Sequence, residues 1–158
     1  MESSAFYAVV AGICFALIGL LWNVIGAREE WREDATMRGL LSAVYTSFLI
    51  PGVMSLGGQL GASSPLMWQG VFIVASLAGI FVNVRFSRSG LKPVGPYGRN
   101  RWAVIVIYLV VLLFSVVPGL AKTLFDLAPL QVEGILVVLL LILAHGQAWE
   151  LMMVAKKS

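Results

Sequence analysis

Charged residues, cysteine and histidine are all scarce in this sequence. Charged residues make up 12% of the 158 residues, about half of the roughly 25% that soluble domains carry. Hydrophobic residues reach 59%. The shortage of charge excludes a soluble globular domain and indicates a single integral membrane domain over residues 1–158.

The lone cysteine and the lone histidine exclude several kinds of chemistry. Cys14 allows no disulfide within the chain and no cysteine metal site. His145 by itself is too little for a metal or haem site unless several subunits contribute ligands. The sequence contains no HExxH motif, no phosphate-binding glycine loop and no serine–histidine–aspartate set at membrane depth. We therefore expect no catalytic residue, no metal and no cofactor, and an enzyme is disfavoured.

Long uncharged runs predict five membrane-spanning helices. A span requires about 20 mostly apolar residues, and the run 3–27 contains no charge. The uncharged run 39–84 is too long for one span, and the turn-rich stretch GGQLGASSP divides it. The sequence predicts an all-α transmembrane bundle with spans at about 5–27, 38–57, 65–86, 102–121 and 129–154.

Basic residues are distributed asymmetrically among the predicted loops. The segments after spans 1, 3 and 5 hold ten of the eleven Lys and Arg residues, and only Lys122 falls on the other side. Because positively charged loops stay in the cytoplasm, we expect the N-terminus outside and the C-terminus inside a bacterial inner membrane. The second basic loop is expected to bind anionic lipid headgroups rather than nucleic acid, through Arg85, Arg88, Lys92, Arg99 and Arg101.

Two pairs of short stretches resemble each other. GLLWNV near the end of span 1 resembles GIFVNV near the end of span 3, and FLIPGV in span 2 resembles SVVPGL in span 4. These similarities indicate either a parallel repeat of spans 1–2 and 3–4, as in some transporters, or chance matches between common residues. Pro51 and Pro118 are predicted to kink spans 2 and 4, because proline cannot donate a helical hydrogen bond.

Six polar residues within the spans are the candidate site residues: Asn23, Asn83, Glu133, His145, Gln147 and Glu150. At 100° per residue, Glu133, Gln147 and Glu150 share a broad face of span 5, and His145 points elsewhere. The two asparagines are expected at the depth of Gln147 and Glu150, which would create a polar layer. Such a layer either joins neighbouring spans by hydrogen bonds or lines an aqueous pathway.

Two classes of function fit these features. The first is a channel or carrier for a small solute or ion, assembled as a homo-oligomer because five short spans leave little space for a pathway within one subunit. The alternative is a non-catalytic subunit or scaffold that binds other membrane subunits. The small-residue pairs Gly12–Ala16 and Ala75–Gly79 suit helix contacts in either class.

Overall fold

A computed structural model describes residues 3–61, 64–88 and 101–154. Every regular element in these ranges is helical, which confirms the predicted all-α class. Lys92 and Arg99 lie outside the described residues. The helices are α1 (Ser3–Gly26), α2 (Glu29–Glu33), α3 (Ala35–Leu60), α4 (Pro65–Arg88), α5 (Arg101–Val116), α6 (Gly119–Phe125) and α7 (Pro129–Val154).

Four of these helices, α1, α3, α4 and α7, are long and apolar enough to cross a membrane. Helices α5 and α6 together form a fifth candidate, but they meet at an angle of 108°. The predicted span 102–121 is corrected accordingly, because α5 ends at Val116. Pro118 precedes α6 as its N-cap residue. It therefore breaks the span instead of kinking it, since its nitrogen cannot donate to continue α5.

Contacts between helix ends define two ends of the bundle. At the arginine end, Nη1 of Arg101 donates a hydrogen bond of 2.9 Å to the carbonyl of Phe86. At the far end, the hydroxyl of Tyr7 donates to the carbonyl of Leu130 over 2.6 Å. Helix α5 begins at the arginine end and reaches the far end, where Ser115 contacts the start of α7. The chain therefore traverses the bundle five times.

Helices α3, α4, α5 and α7 form the centre of the bundle. Helix α3 contacts α4 and α7, and α5 contacts the same two helices from the other side. Helix α1 packs on the outside, against α3 and α7. The core between the central helices is tightly closed, since Met54, Phe72, Val111 and Val137 have no exposed surface. Tyr7 and Cys14 of α1 join this core, and the opposite face of α1 is exposed.

The connection from α1 to α3 has specific local contacts. The side chain of Asp34 accepts hydrogen bonds from the backbone amides of Thr36, at 2.7 Å, and Met37, at 3.3 Å. These bonds satisfy two of the amides that a helix start leaves without partners. The guanidinium of Arg28 lies 4.8 Å from the ring centroid of Trp31, which is buried. A capped start and a buried tryptophan thus fix the turn at the arginine end.

Apolar side chains cover the outer surface of the long helices. Val9, Val74 and Ile142 are 63%, 68% and 55% exposed, and many other large apolar residues are similarly placed. Soluble monomers rarely expose contiguous apolar patches of this kind. The surface therefore agrees with the hydropathy of the helices and with insertion into a bilayer.

The two Pro-Gly sites of the predicted repeat have different structures. Pro51 lies inside α3, which continues through it to Leu60. Ser55 follows one turn later, and its hydroxyl donates to the carbonyl of Pro51 over 2.8 Å. Pro118 instead separates two helices. The parallel repeat stays a prediction, and these two positions do not support it.

Candidate functional site

A polar cavity of about 60 Å³ lies between α3, α4, α5 and α7 near the arginine end. Its volume is enough for a few water molecules. We call it the arginine-end cavity. Its remaining lining is apolar, but six side chains from the four helices contribute polar atoms: Thr46, Ser47, Asn83, Arg101, Tyr108 and Gln147.

A hydrogen bond between α3 and α7 crosses one wall of the cavity. The Oγ atom of Ser47 lies 3.0 Å from Oε1 of Gln147 and 2.8 Å from the carbonyl of Ala43. A serine hydroxyl has only one proton to donate. If that proton goes to the carbonyl of Ala43, the Gln147 amide must turn so that its NH₂ group donates to Ser47. The orientation of such an amide is assigned from the hydrogen bonds around it. Either arrangement leaves further capacity on Gln147 for a ligand.

Two cavity side chains are held in place by bonds to α4. Nδ2 of Asn83 donates to the carbonyl of Gly79 over 2.8 Å, which leaves the Asn83 side-chain oxygen as an acceptor. Arg101 donates to the carbonyl of Phe86, near the end of α4, where carbonyls lack helical partners. Arg101 is the one charged residue that the described part of the chain contributes to the lining. The cavity is therefore polar with a positive charge at its edge.

Tyr108 lies at the deep side of the cavity. Its side chain is 2% exposed, and its ring packs directly on Gly79 of α4. A Cβ atom at Gly79 would lie 2.5 Å from Cζ of this ring, so the absence of a side chain there allows the tyrosine to fit. Tyr108 and Gln147 also border a smaller void of about 10 Å³ that extends toward the middle of the bundle.

A dry layer closes the bundle beyond Tyr108. It consists of Met54, Phe72, Val111 and Val137, each with no exposed surface. From Tyr108 to Ser115 on α5 the distance along the axis is about 10 Å, for seven residues at ~1.5 Å each. These four side chains are apolar and leave no exposed gap, although the buried hydroxyls of Ser55 and Ser76 lie close to the layer on α3 and α4.

A buried carboxyl group lies on the other side of the dry layer. Glu133 is 0% exposed, and Ser115 of α5 is 1% exposed. The Oγ atom of Ser115 donates a hydrogen bond of 2.8 Å to Oε1 of Glu133. The other carboxyl oxygen, Oε2, is buried and has no hydrogen-bond partner among the described residues. Glu133 therefore belongs to a second polar site near the far end.

The predicted polar layer forms only in part. Asn83 and Gln147 line the same cavity, as the layer requires. Asn23 is exposed on the outer side of α1, because α1 is not one of the four central helices. Glu150 is half-buried and is not part of the described cavity lining. His145 is exposed, with its ring edge-on to Phe48 at 6.2 Å between centroids.

Several functional candidates were not predicted from the sequence. Ser47 and Tyr108 of the cavity, and Ser115 beside Glu133, were missed as site residues. Arg101 was assigned to lipid headgroups, but it lines the cavity, whereas Arg85 and Arg88 are exposed at the end of α4. Glu133 was itself the signal in the sequence for the second site, because it is a charged residue within an apolar span. Ser115 gave a weaker signal as a polar residue three positions before Pro118.

Neither metal-binding groups nor similarity to known proteins define the class of this protein more closely than its fold does. Among the residues that the structure describes, no three His, Cys, Asp or Glu side chains come close enough to hold a metal ion. No protein-family model matches the sequence, and comparisons with characterised proteins and with solved structures find no match. The fold and sites define a helical bundle suited to a membrane, with a polar cavity at one end and a buried carboxyl toward the other.

Proposed function

We propose that this chain is a small carrier for a polar solute or ion in a bacterial inner membrane. In this proposal the arginine end faces the cytoplasm, the N-terminus lies outside, and the carrier works as a homo-oligomer. The orientation follows from the basic loops, because positively charged segments remain on the cytoplasmic side.

The observation that carries the proposal is the arginine-end cavity. A polar layer that only joins helices would satisfy its groups with each other and would leave no space. Here four helices surround a cavity of about 60 Å³, and Asn83, Gln147 and Arg101 present both donors and acceptors to it. Polar side chains around a cavity at membrane depth are typical of a binding place for a small solute or ion.

The dry layer favours a carrier over an open channel. The dry layer separates the cavity from the far end, because Phe72 and Val111 are among the fully buried side chains between them. A carrier exposes its site to one side at a time. A cavity that the dry layer separates from the far end is consistent with one state of such a carrier.

A non-transporting membrane subunit is the second candidate. The same dry layer favours it, since a bundle closed at its centre also suits a structural role. In that case the cavity would hold structural water between Ser47, Asn83 and Gln147, as buried water often does between polar groups.

Labelling of single cysteines is expected to show water at the arginine-end cavity. In a Cys14→Ala background, cysteine at 147 or 83 should react quickly with a charged thiol reagent in inverted vesicles, because both positions line the cavity. Cysteine at 145 or 139 should react slowly, because these positions are exposed on the outer surface of α7, in lipid. The measurement is the rate of adduct formation by mass spectrometry.

A flux measurement on the purified protein distinguishes the carrier from the non-transporting subunit. Proteoliposomes of the purified chain alone should pass a small solute or ion when a panel of gradients is tested, and Gln147→Leu should reduce that flux. His145→Leu is the matched control, because it removes a polar group from the same helix outside the cavity. Slow labelling at 147 and 83, with no flux and stable co-purification of another membrane protein, would support the subunit instead.

The outer face of α1 supports the proposed homo-oligomer. Gly12, Ala16, Gly19 and Asn23 recur at intervals of three or four residues and are all exposed. A Cβ atom at Gly12 or Gly19 would meet no atom within 4 Å. Small residues let helices approach closely in lipid, and an exposed amide such as Asn23 can bond across to another helix.

The purified protein is expected to be larger than its 17.1 kDa monomer in mild detergent, after subtraction of the micelle. Gly12→Ile should shift it toward the monomer, because a branched side chain would separate the two α1 helices. Gly70→Ile is the matched control, since position 70 also has open space around it but lies on α4. Light scattering coupled to size-exclusion chromatography measures the mass. A monomeric wild type would contradict the proposed oligomer.

A further inference from the structure

Glu133 is the one fully buried acidic side chain in the part of the chain that the structure describes. It lies on α7, four residues after Pro129, where that helix begins. A carboxylate removed from water needs compensation for its charge, from a paired cation, a bound metal ion or a proton. The surroundings of Glu133 decide which of the three is available.

No fixed cation is available to Glu133. Within the described ranges, no lysine, arginine or histidine forms an ion pair with it, and the ion pair between Arg32 and Glu29 lies at the arginine end. Lys122 of α6 and Asp126, which follows that helix, lie at the far end, but both are exposed. The charge on the carboxyl is therefore not balanced by a side chain.

The helices packed against α7 contribute few other titratable groups near Glu133. Helix α1 contributes Tyr7, whose hydroxyl already donates to the carbonyl of Leu130. Helix α5 contributes Ser115, and its Tyr108 lies seven residues away, beyond the dry layer. The titratable residues of α3, Arg38 and Tyr45, lie near the start of that helix, at the arginine end. Tyr7 is thus the titratable side chain nearest to the carboxyl, and its hydroxyl is already engaged by Leu130.

The Ser115 contact places this carboxyl beside the break between α5 and α6. Pro118 follows Ser115 by three residues and has no amide hydrogen, so the carbonyl of Phe114 loses its helical donor. The chain then turns by 108° into α6. Broken helices beside buried polar groups are a recurrent feature of ion and proton sites in transporters. The break also gives α5 a place to hinge next to the carboxyl.

We propose that Glu133 takes up and releases one proton at the far end of the bundle, with Ser115 as the residue that positions its carboxyl. Uptake forms an O–H bond at Oε2 as an O–H bond of hydronium breaks and leaves water. Release reverses the step when movement at the α5–α6 break admits water. This inference rests on the proposed carrier function and makes that carrier proton-coupled.

A proton suits the site better than a metal ion does. Hard cations take a shell of several oxygen ligands. Near Glu133, Oε1 already accepts from Ser115, and the carbonyl of Leu130 already accepts from Tyr7. The other oxygen of this carboxyl, Oε2, is buried and has no partner among the described residues. One such oxygen is sufficient for a proton and insufficient for a coordination shell.

Carbodiimide labelling of the full chain tests the proposal. Dicyclohexylcarbodiimide is apolar and reacts with a protonated carboxyl in an apolar setting. We expect an adduct on the wild-type peptide that contains Glu133, with a yield that falls as pH rises and does not change with sodium. Glu133→Gln should lose that adduct, whereas Asp126→Asn should keep it. Asp126 is a suitable control, because its positive φ of 54° is one that asparagine also adopts.

Each alternative result has a definite meaning. Protection of Glu133 by sodium at constant pH would overturn the proton in favour of a metal cation. Failure of Glu133 to react at low pH, in protein that is folded by size-exclusion chromatography, would overturn the site itself. Ser115→Ala should shift the pH midpoint of labelling, because it removes the hydroxyl that donates to Oε1. Labelling does not depend on flux, so pH-dependent labelling without flux would remove only the carrier proposal.

Discussion

Gly79→Val is expected to leave little folded protein in the membrane, while Gly70→Val accumulates as the wild type does. A Cβ atom at position 79 would lie 2.5 Å from Cζ of Tyr108 and 2.7 Å from the two flanking ring atoms. The ring is 2% exposed, so it can clear the new atoms only by moving into the cavity that it lines. Overpacking of a closed core costs about 1–3 kcal/mol, and valine adds two further carbon atoms at the same point.

The control lies on the same helix and receives the same side chain. A Cβ atom at Gly70 would meet no atom within 4 Å, so the change at 70 alters helix propensity without altering packing. The measurement is the resistance of purified protein to unfolding, followed by tryptophan fluorescence as denaturing detergent is added. Equal stability of the two variants would mean that Tyr108 does not pack on α4. It would contradict the placement of Tyr108 at the deep side of the cavity.

A cytoplasmic reporter is expected to be fully active after Ser158 and inactive after Gly61. Arg85, Arg88 and Arg101 lie at the arginine end of the bundle, and a positively charged loop is retained in the cytoplasm. Helix α5 reaches from Arg101 to Ser115 beside α7, which favours five crossings, and five crossings would place the two termini on opposite sides. The difference should be close to all-or-none.

A reporter placed after Ala27, between α1 and α2, supplies the control. It lies at the arginine end, so it should be as active as the fusion after Ser158. Expression of each fusion is compared by immunoblot, so that a low signal is not caused by degradation. Equal activity after Gly61 and Ser158 would contradict five crossings, and activity only after Gly61 would reverse the orientation.

The all-helical class and most helix bounds could be predicted from the sequence, because hydropathy depends on local composition. The break at Pro118 could not. Pro51 and Pro118 have the same local chemistry, yet α3 continues through the first and α5 ends before the second. Tight packing of α3 among α1, α4 and α7 supports a helix through Pro51. Val116 and Val117, just before Pro118, are 59% and 44% exposed, so the chain has room to turn there.

The composition of the sites was less predictable than the fold. Asn23 and Asn83 occupy matching places in similar stretches, but only Asn83 faces the cavity, because α4 is central and α1 is peripheral. A helical wheel placed Glu133 and Gln147 on a common face. It could not show that the dry layer separates them or that Ser115 is the partner of Glu133. Such pairings depend on which helices are neighbours, and periodicity within one helix contains no information about that.

The unequal lengths of α5 and α7 have a consequence for the surrounding lipid. Helix α5 has 16 residues, about 24 Å at ~1.5 Å per residue, and the neighbouring α7 has 26, about 39 Å. A typical hydrocarbon core is about 30 Å thick. In a bilayer of this thickness we expect local thinning beside α5 and tilting of α7, because both reduce the hydrophobic mismatch. Lipids with short acyl chains would match α5, so the acyl-chain length of the membrane is expected to bias the angle at the α5–α6 break.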